Sequence, residues 1–311
     1  MRVPFFPKTQ MLTPTAGERL TSRPVVVLLL FIPTMLLTQL GRSLFADAVN
    51  YILPGDHDRN FQILLALAAT SVTVAVVLLY CLFVEKRSLY SLGFTRRGAL
   101  LEYGAGLLGG LVMFGICVSV CVISGTLTLS VSPSLPSWSI LLLFFVGFLI
   151  QGLSEELLCR SYLMVSLSRG LPLWACAVAN ALVFSLLHLA NPGISVIAIL
   201  NIFLFGLFAS ILTLRRGSIW MAAGLHSMWN FAQGNLFGIP VSGMGEIASP
   251  LHAHMAEGGW QTLINGGVFG LEGGLAVTVV LVLACGIVLF LPTKRSEIIP
   301  LPQSGKSGDL P

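Results

Sequence analysis

Charge is scarce in this sequence. Lys, Arg, Asp and Glu make up 10% of the 311 residues, against 55% hydrophobic ones. A soluble domain carries about 25% charged residues, so this chain is not built to be covered by water. Paired cysteine motifs are also missing. Cys81, Cys117, Cys121, Cys159, Cys176 and Cys285 all lie in apolar runs, and none forms a CxxC. Cys117 and Cys121 share a helix face, a spacing that serves packing better than a disulfide, and all six read as small buried apolar residues. There is no HExxH zinc-peptidase helix and no GxSxG nucleophile elbow. No basic patch is interleaved with aromatics, which excludes nucleic acid as a partner. No internal repeat and no separate soluble domain are visible.

What the chain has instead is apolar runs. They cover about 24–40, 61–84, 100–123, 138–168, 173–189, 194–214, 218–237 and 275–291, and the mean hydropathy is +0.90. A β-barrel would show weak alternating segments of about ten residues; continuous apolar runs mean helices. The expected fold is therefore an all-α polytopic membrane protein with about eight transmembrane helices. Residues 1–23 form a polar N-terminal tail, 24–293 the membrane domain and 294–311 a C-terminal tail. Ala46-Asp47-Ala48 loosely resembles a signal-peptide cleavage site. The long basic region before the first run, and Arg42 after it, favour a retained first helix.

Basic residues set orientation. Of the 17 Lys and Arg, 14 fall in the two tails or in the loops after runs two, four and six; Arg42 and Arg59 fall in the opposite loops and Arg160 inside run four. Eight spans with both termini cytoplasmic, in the cell membrane, satisfy this pattern.

Few ionisable residues remain within the runs: Glu155, Glu156, Arg160, His188 and His226, with Glu102 near an end. A charge at bilayer depth costs roughly 2.5–3.5 kcal/mol on insertion scales, so such residues face a protein interior or a wet cavity. Arg160 lies four after Glu156, and the two can pair along one helix face. Glu155 is rotated away from that face by about 100°, which leaves it the freer carboxylate and Glu156 the structural one. Phe184 shares a face with His188, and Asn230 with His226. Run four through Ser168 would be about 45 Å long at a rise of about 1.5 Å per residue. The hydrocarbon core is only about 30 Å thick. A hairpin of runs four and five projecting into the cytoplasm would bring Glu155, His188 and His226 to one depth. A carboxylate and a histidine can activate water, and a His–Asn pair can stabilise an oxyanion. The same Glu155, His188 and His226 could instead hold zinc with an open water position. Trp138, Trp220 and Trp229 read as packing or interface anchors, and His252 with His254 as a loop HxH.

Taken together, Glu155-Glu156-x3-Arg160, Phe184-x3-His188 and His226-x3-Asn230 resemble the three motifs of the CPBP intramembrane proteases. That family includes the type II CAAX prenyl endopeptidases and the bacteriocin-processing and immunity (Abi) proteins. Ser91-Leu92-Gly93-Phe94 and the Arg215-Arg216-Gly217-Ser218 turn are similar to the family too, and the Gly-rich stretch 238–274 resembles that of bacterial members. The motif block spans 154–231. The resemblance implies an eight-helix fold around a conical polar cavity open to the cytoplasm, and an endopeptidase acting on a membrane-associated peptide, prenylated or a leader. It implies that Glu155 with His188 activates water, that His226 and Asn230 form the oxyanion site, and that Glu156, Arg160 and Phe184 support them. Members have been described as metalloproteases, but the mechanism the resemblance favours is glutamate-dependent and requires no cofactor.

Two other readings fit the residues. One is a non-catalytic scaffold or immunity member of the same fold. The other is a proton-coupled transporter, which should show two similar halves with broken helices; none is visible. The expected partners are a membrane-associated peptide or protein substrate and the lipid bilayer.

Overall fold

The computed structural model describes residues 6, 7, 9–14 and 17–290. The expectations for residues 1–5, for Lys8 and for the tail 294–311 with Lys294 and Arg295 lie outside the described residues. Each of the eight apolar runs folds as a helix, and the sequence supplies the boundaries. Helix α1 (Pro24–Ile52) starts with proline in its first turn, where the missing N–H costs nothing. Helix α2 (Arg59–Leu79) is capped by Asp58, whose side chain accepts from the Phe61 N–H at 2.8 Å, and runs on as a π-helical turn, Tyr80–Val84. Helix α3 covers Ala99–Ile123. Helix α4 (Trp138–Glu156) is capped by Ser137 and continues π-helically through Leu157–Met164. Helix α5 (Leu173–Leu186) follows Pro172. Helix α6 (Val196–Arg216) ends on Gly217 in the left-handed conformation, φ 65°. Helix α7 (Trp220–Phe231) passes into a π-helical turn, Ala232–Leu236. A short helix α8 (Gly259–Asn265) precedes α9 (Leu275–Phe290).

Five of these are long and apolar enough to cross a membrane: Pro24–Ile52, Arg59–Val84, Ala99–Ile123, Trp138–Leu167 and Val196–Arg216. The expected count of eight is not reached by that measure. Helix α5 has 14 residues, α7 has 12 and 17 with its π-helical turn (12 + 5), and the described part of α9 has 16. At a rise of about 1.5 Å per residue these are about 21–26 Å long, short of a hydrocarbon core of about 30 Å.

Two expectations are corrected. His252 and His254, read as a loop HxH, lie on a strand: the Gly-rich stretch and the connection between α3 and α4 contribute two antiparallel strands, β1 (Leu127–Val131) and β2 (Leu251–Met255), with Leu127 opposite Met255 and Ser130 opposite His252. Leu-Thr-Leu-Ser-Val alternates apolar and polar residues, the two-residue period of a strand. The fold is thus helical with one small ribbon. Arg42, read as a loop residue, lies inside α1, because the helix continues past the end of the apolar run to Ile52.

Close helix packing centres on α7. A Cβ added to Gly106 or Gly110 of α3 would collide with the carbonyl oxygens of Met221 or Leu225, and one added to Gly224 with that of Tyr103. Gly106 and Gly110 are four apart, the spacing that lets two helix backbones touch. Gly109, next to Gly110 in sequence, makes only ordinary contact with the Leu225 side chain. Gly152 of α4 meets Ser227 in the same way. Helix α7 is therefore pinned between α3 and α4, and it carries His226 and Asn230. All six cysteines are buried and free.

Candidate active site

A cavity of about 370 Å³ opens among α1, α2, α4, α6 and α7. Its lining includes Arg42, Gln151, Glu155, His188, His226 and Asn230, together with Ser242 and Glu272 from the Gly-rich stretch.

Glu155 and Glu156 end the regular part of α4, where the helix widens into its π-helical section; such sections are frequent at functional sites. Neighbouring positions on a helix point about 100° apart. Glu156 turns inward and is fully buried, while the Glu155 side chain keeps 29% of its exposure and faces the cavity. Glu156 Oε1 forms an ion pair with Arg160 Nη1 at 3.0 Å. The Arg160 guanidinium also donates from Nη2 to the Gly206 carbonyl at 3.3 Å and lies 4.4 Å from the Phe184 ring centre. One arginine thereby ties α4 to both α5 and α6.

His226 stands between the two glutamates. Its Nδ1 is 2.9 Å from Glu156 Oε1, and its Nε2 is 3.6 Å from Glu155 Oε2. A carboxylate only accepts, so Nδ1 carries the proton and donates to Glu156. Phe205 holds the imidazole edge-on, ring centres 5.0 Å apart. Glu155 is fixed from its own helix: Gln151 Nε2 donates to Glu155 Oε1 at 2.6 Å, while Glu155 Oε2 is buried without a hydrogen-bond partner. Asn230 Nδ2 donates to Gln151 Oε1 at 2.9 Å.

His188 lies just past the end of α5. Its Nδ1 donates to the Phe184 carbonyl at 2.8 Å, which leaves Nε2 as the acceptor of that ring. It shares the cavity wall with Glu155, but among the described residues no ion pair joins the two. The carboxylate has His226 as its nearest imidazole. Among the described residues no three His, Cys, Asp or Glu side chains converge in a way that could hold a metal ion. In both histidines Nδ1 is the engaged nitrogen, with the Phe184 carbonyl at His188 and with Glu156 at His226, and Nε2 is the other ring nitrogen.

Two residues of this site are absent from the sequence motifs. Gln151 lies one helical turn before Glu155, a spacing that could have been read. Glu272 comes from the Gly-rich stretch and carried no signal. Its Oε2 accepts from the Ser242 N–H at 2.9 Å and the Ser242 hydroxyl at 2.6 Å, and its Oε1 accepts from Trp229 Nε1 at 3.3 Å. His252 and His254, the loop HxH, sit on β2 with rings 4.4 Å apart, away from this cavity.

No curated protein matches the chain. Residues 136–232, a little under a third of the chain, match the family described as type II CAAX prenyl endopeptidase Rce1-like. The matched stretch runs from the start of α4 to the end of α7 and holds Glu155, Glu156, Arg160, Phe184, His188, His226 and Asn230. With its apolar helices, the chain is a multi-pass membrane protein, and its segment 136–232 is similar to the CPBP/CAAX protease family.

Proposed function

We propose that the chain is an intramembrane endopeptidase that hydrolyses a peptide bond in a membrane-associated peptide, prenylated or a leader. One observation carries this reading: inside the cavity, a carboxylate clamped through one oxygen by Gln151 presents its other, unpartnered oxygen toward His226 Nε2.

In this reading Glu155 Oε2 takes a proton from a water molecule, and the remaining hydroxide attacks the scissile carbonyl carbon. His188, with its proton held at Nδ1, offers Nε2 to align that water. The developing oxyanion is met by N–H groups of His226 and Asn230, donors already fixed before reaction, which is where such groups are most effective. In this role His226 donates to the oxyanion from Nε2 while its Nδ1 donates to Glu156. When the tetrahedral intermediate collapses, the proton on Glu155 passes to the leaving amine. Glu156 and Arg160 act by holding His226. No step passes through a metal. We further read the eight helices as eight passages with both termini cytoplasmic, the three short ones lying in locally thinned bilayer.

The test is cleavage of a quenched fluorescent prenyl-peptide and a panel of leader peptides by the purified protein. Wild type is compared with Glu155→Ala and His226→Ala, each with and without a chelator. Cleavage lost in both variants and indifferent to the chelator is expected. Cleavage that survives in Glu155→Ala overturns the mechanism, and chelator loss restored by zinc replaces it with a metal one. No cleavage by folded wild type on any substrate leaves the scaffold or immunity reading in its place.

A further inference from the structure

Gln151 touches both halves of the proposed machinery. It donates to Glu155 at 2.6 Å and accepts from Asn230 at 2.9 Å, so it spans the gap between the base on α4 and the amide on α7. The direction of these bonds is forced. Glu155, as a carboxylate, can only accept, so the NH₂ end of Gln151 must face it. The carbonyl end of Gln151 must then face Asn230, and only the NH₂ group of Asn230 can meet a carbonyl. A primary amide has two N–H bonds, and Gln151 uses one from Asn230. The other stays available in the cavity that Asn230 lines.

We infer that Gln151 is a positioning residue that holds the Glu155 carboxylate and the Asn230 amide in working order together. The ionised base sets the glutamine, and the glutamine sets which end of Asn230 is presented as a donor. Without it, Glu155 is free to rotate its unpartnered oxygen away from the water, and Asn230 is free to turn its carbonyl toward a developing negative charge. The inference rests on the proteolytic reading above. It assigns to Gln151 an effect on the transition state and none on ground-state binding.

The test compares steady-state cleavage by wild type, Gln151→Met, Gln151→Glu, Asn230→Ala and the double variant Gln151→Met with Asn230→Ala. Melting temperatures in detergent establish that each is folded. Methionine keeps the shape and loses both hydrogen bonds. Glutamate keeps the acceptor for Asn230 and loses the donor to Glu155, and it serves if the methionine variant does not fold. Misplacement of catalytic groups by about 1 Å can cost about 100-fold. The expected result is a kcat lowered 10- to 100-fold in both Gln151 variants with KM within about threefold of wild type. Asn230→Ala should cost much less in the Gln151→Met background than in wild type, since coupled residues do not add. A folded Gln151→Met enzyme with wild-type kcat overturns the inference and leaves the proteolytic reading standing. So does a change confined to KM, or additive losses in the double variant. A wild type that cleaves nothing overturns that reading and this inference with it.

Discussion

Glu156 and His226 are seventy positions apart in sequence and are joined Oε1 to Nδ1 at 2.9 Å. The same carboxylate holds Arg160, and the Glu156 and Arg160 side chains are both completely buried. The orientation of the proposed oxyanion imidazole therefore hangs on a buried ion pair. Removing one partner of such a pair leaves an uncompensated buried charge and costs about 3–5 kcal/mol. Glu156→Gln and Arg160→Met should each lower the melting temperature strongly. The double variant should recover a large part of that loss, because it removes both charges. A double variant whose destabilisation equals the sum of the singles would show that the pair is not the source.

The glycines of the α3–α7 contact give a sharper contrast. Gly224→Ala would drive a methyl group into the Tyr103 carbonyl, and Gly110→Ala one into the Leu225 carbonyl. Backbone cannot yield as a side-chain tip can, so the two helices must separate. Gly104 and Gly115 lie on the same helix α3 with nothing within 4 Å of an added Cβ. Alanine there should be neutral or slightly stabilising, through its higher helix propensity. Thermal unfolding of the four single variants in one detergent checks this; equal effects at Gly104 and Gly110 would refute the packing account.

Much of the site was legible because helix periodicity is local. The i, i+4 pairs Glu156–Arg160, Phe184–His188 and His226–Asn230 follow from spacing alone, and an ionisable residue in an apolar run stands out by its cost. Gln151 has the same spacing from Glu155, but an uncharged amide draws little attention in a helix. Arg42 was misplaced because the hydropathy of α1 fades near Leu40 while its helix does not. Glu272 could not be read at all. It reaches the site through turns built on Gly266 and Gly270, both with positive φ, and its partners Trp229 and Ser242 are remote in sequence. Five of the eight runs are long and apolar enough to cross a membrane, because an apolar run guarantees burial in something, and neighbouring helices serve that purpose as well as lipid.

Glu85 offers a test in pH. It follows the last turn of the α2 span and lies 3.5 Å from Arg87, which in turn donates to the carbonyls of Ser91 and Ser161 at 2.7 Å each. Burial pushes the Glu85 carboxyl above its ordinary value, against a smaller opposite pull from Arg87. An acid raised in the folded state contributes stability that is complete below its unfolded pKa of about 4.3 and is lost as pH rises through the folded value. The melting temperature of wild type minus that of Glu85→Gln should therefore fall as pH is raised from about 4 toward neutrality. A difference that grows over that range would mean that the ion pair with Arg87 outweighs burial.

The Gly-rich stretch is latched to the site by Glu272, and the strength of the latch can be graded. Its two oxygens collect the Ser242 N–H, the Ser242 hydroxyl, Trp229 Nε1 and, at 3.5 Å, Gln233 Nε2. Hydrogen bonds to a charged group contribute about 1.5–3 kcal/mol each. Ser242 itself has φ 47°, a conformation that side chains avoid unless the surroundings hold them. Ser242→Ala removes one bond and keeps the main-chain one. Glu272→Gln turns an amide NH₂ against one of the donors, and Glu272→Ala takes the acceptor from both Ser242 donors and from Trp229 Nε1, while Gln233 Nε2 keeps the Pro240 carbonyl. Limited proteolysis around Ser242–Met244 should therefore accelerate in the order Ser242→Ala, Glu272→Gln, Glu272→Ala. Cleavage activity should fall in the same order, since Trp229 is both a partner of Glu272 and packed against Phe205, the ring that holds His226. Proteolysis that accelerates while activity stays at the wild-type level would confine Glu272 to the loop and remove it from any influence on His226.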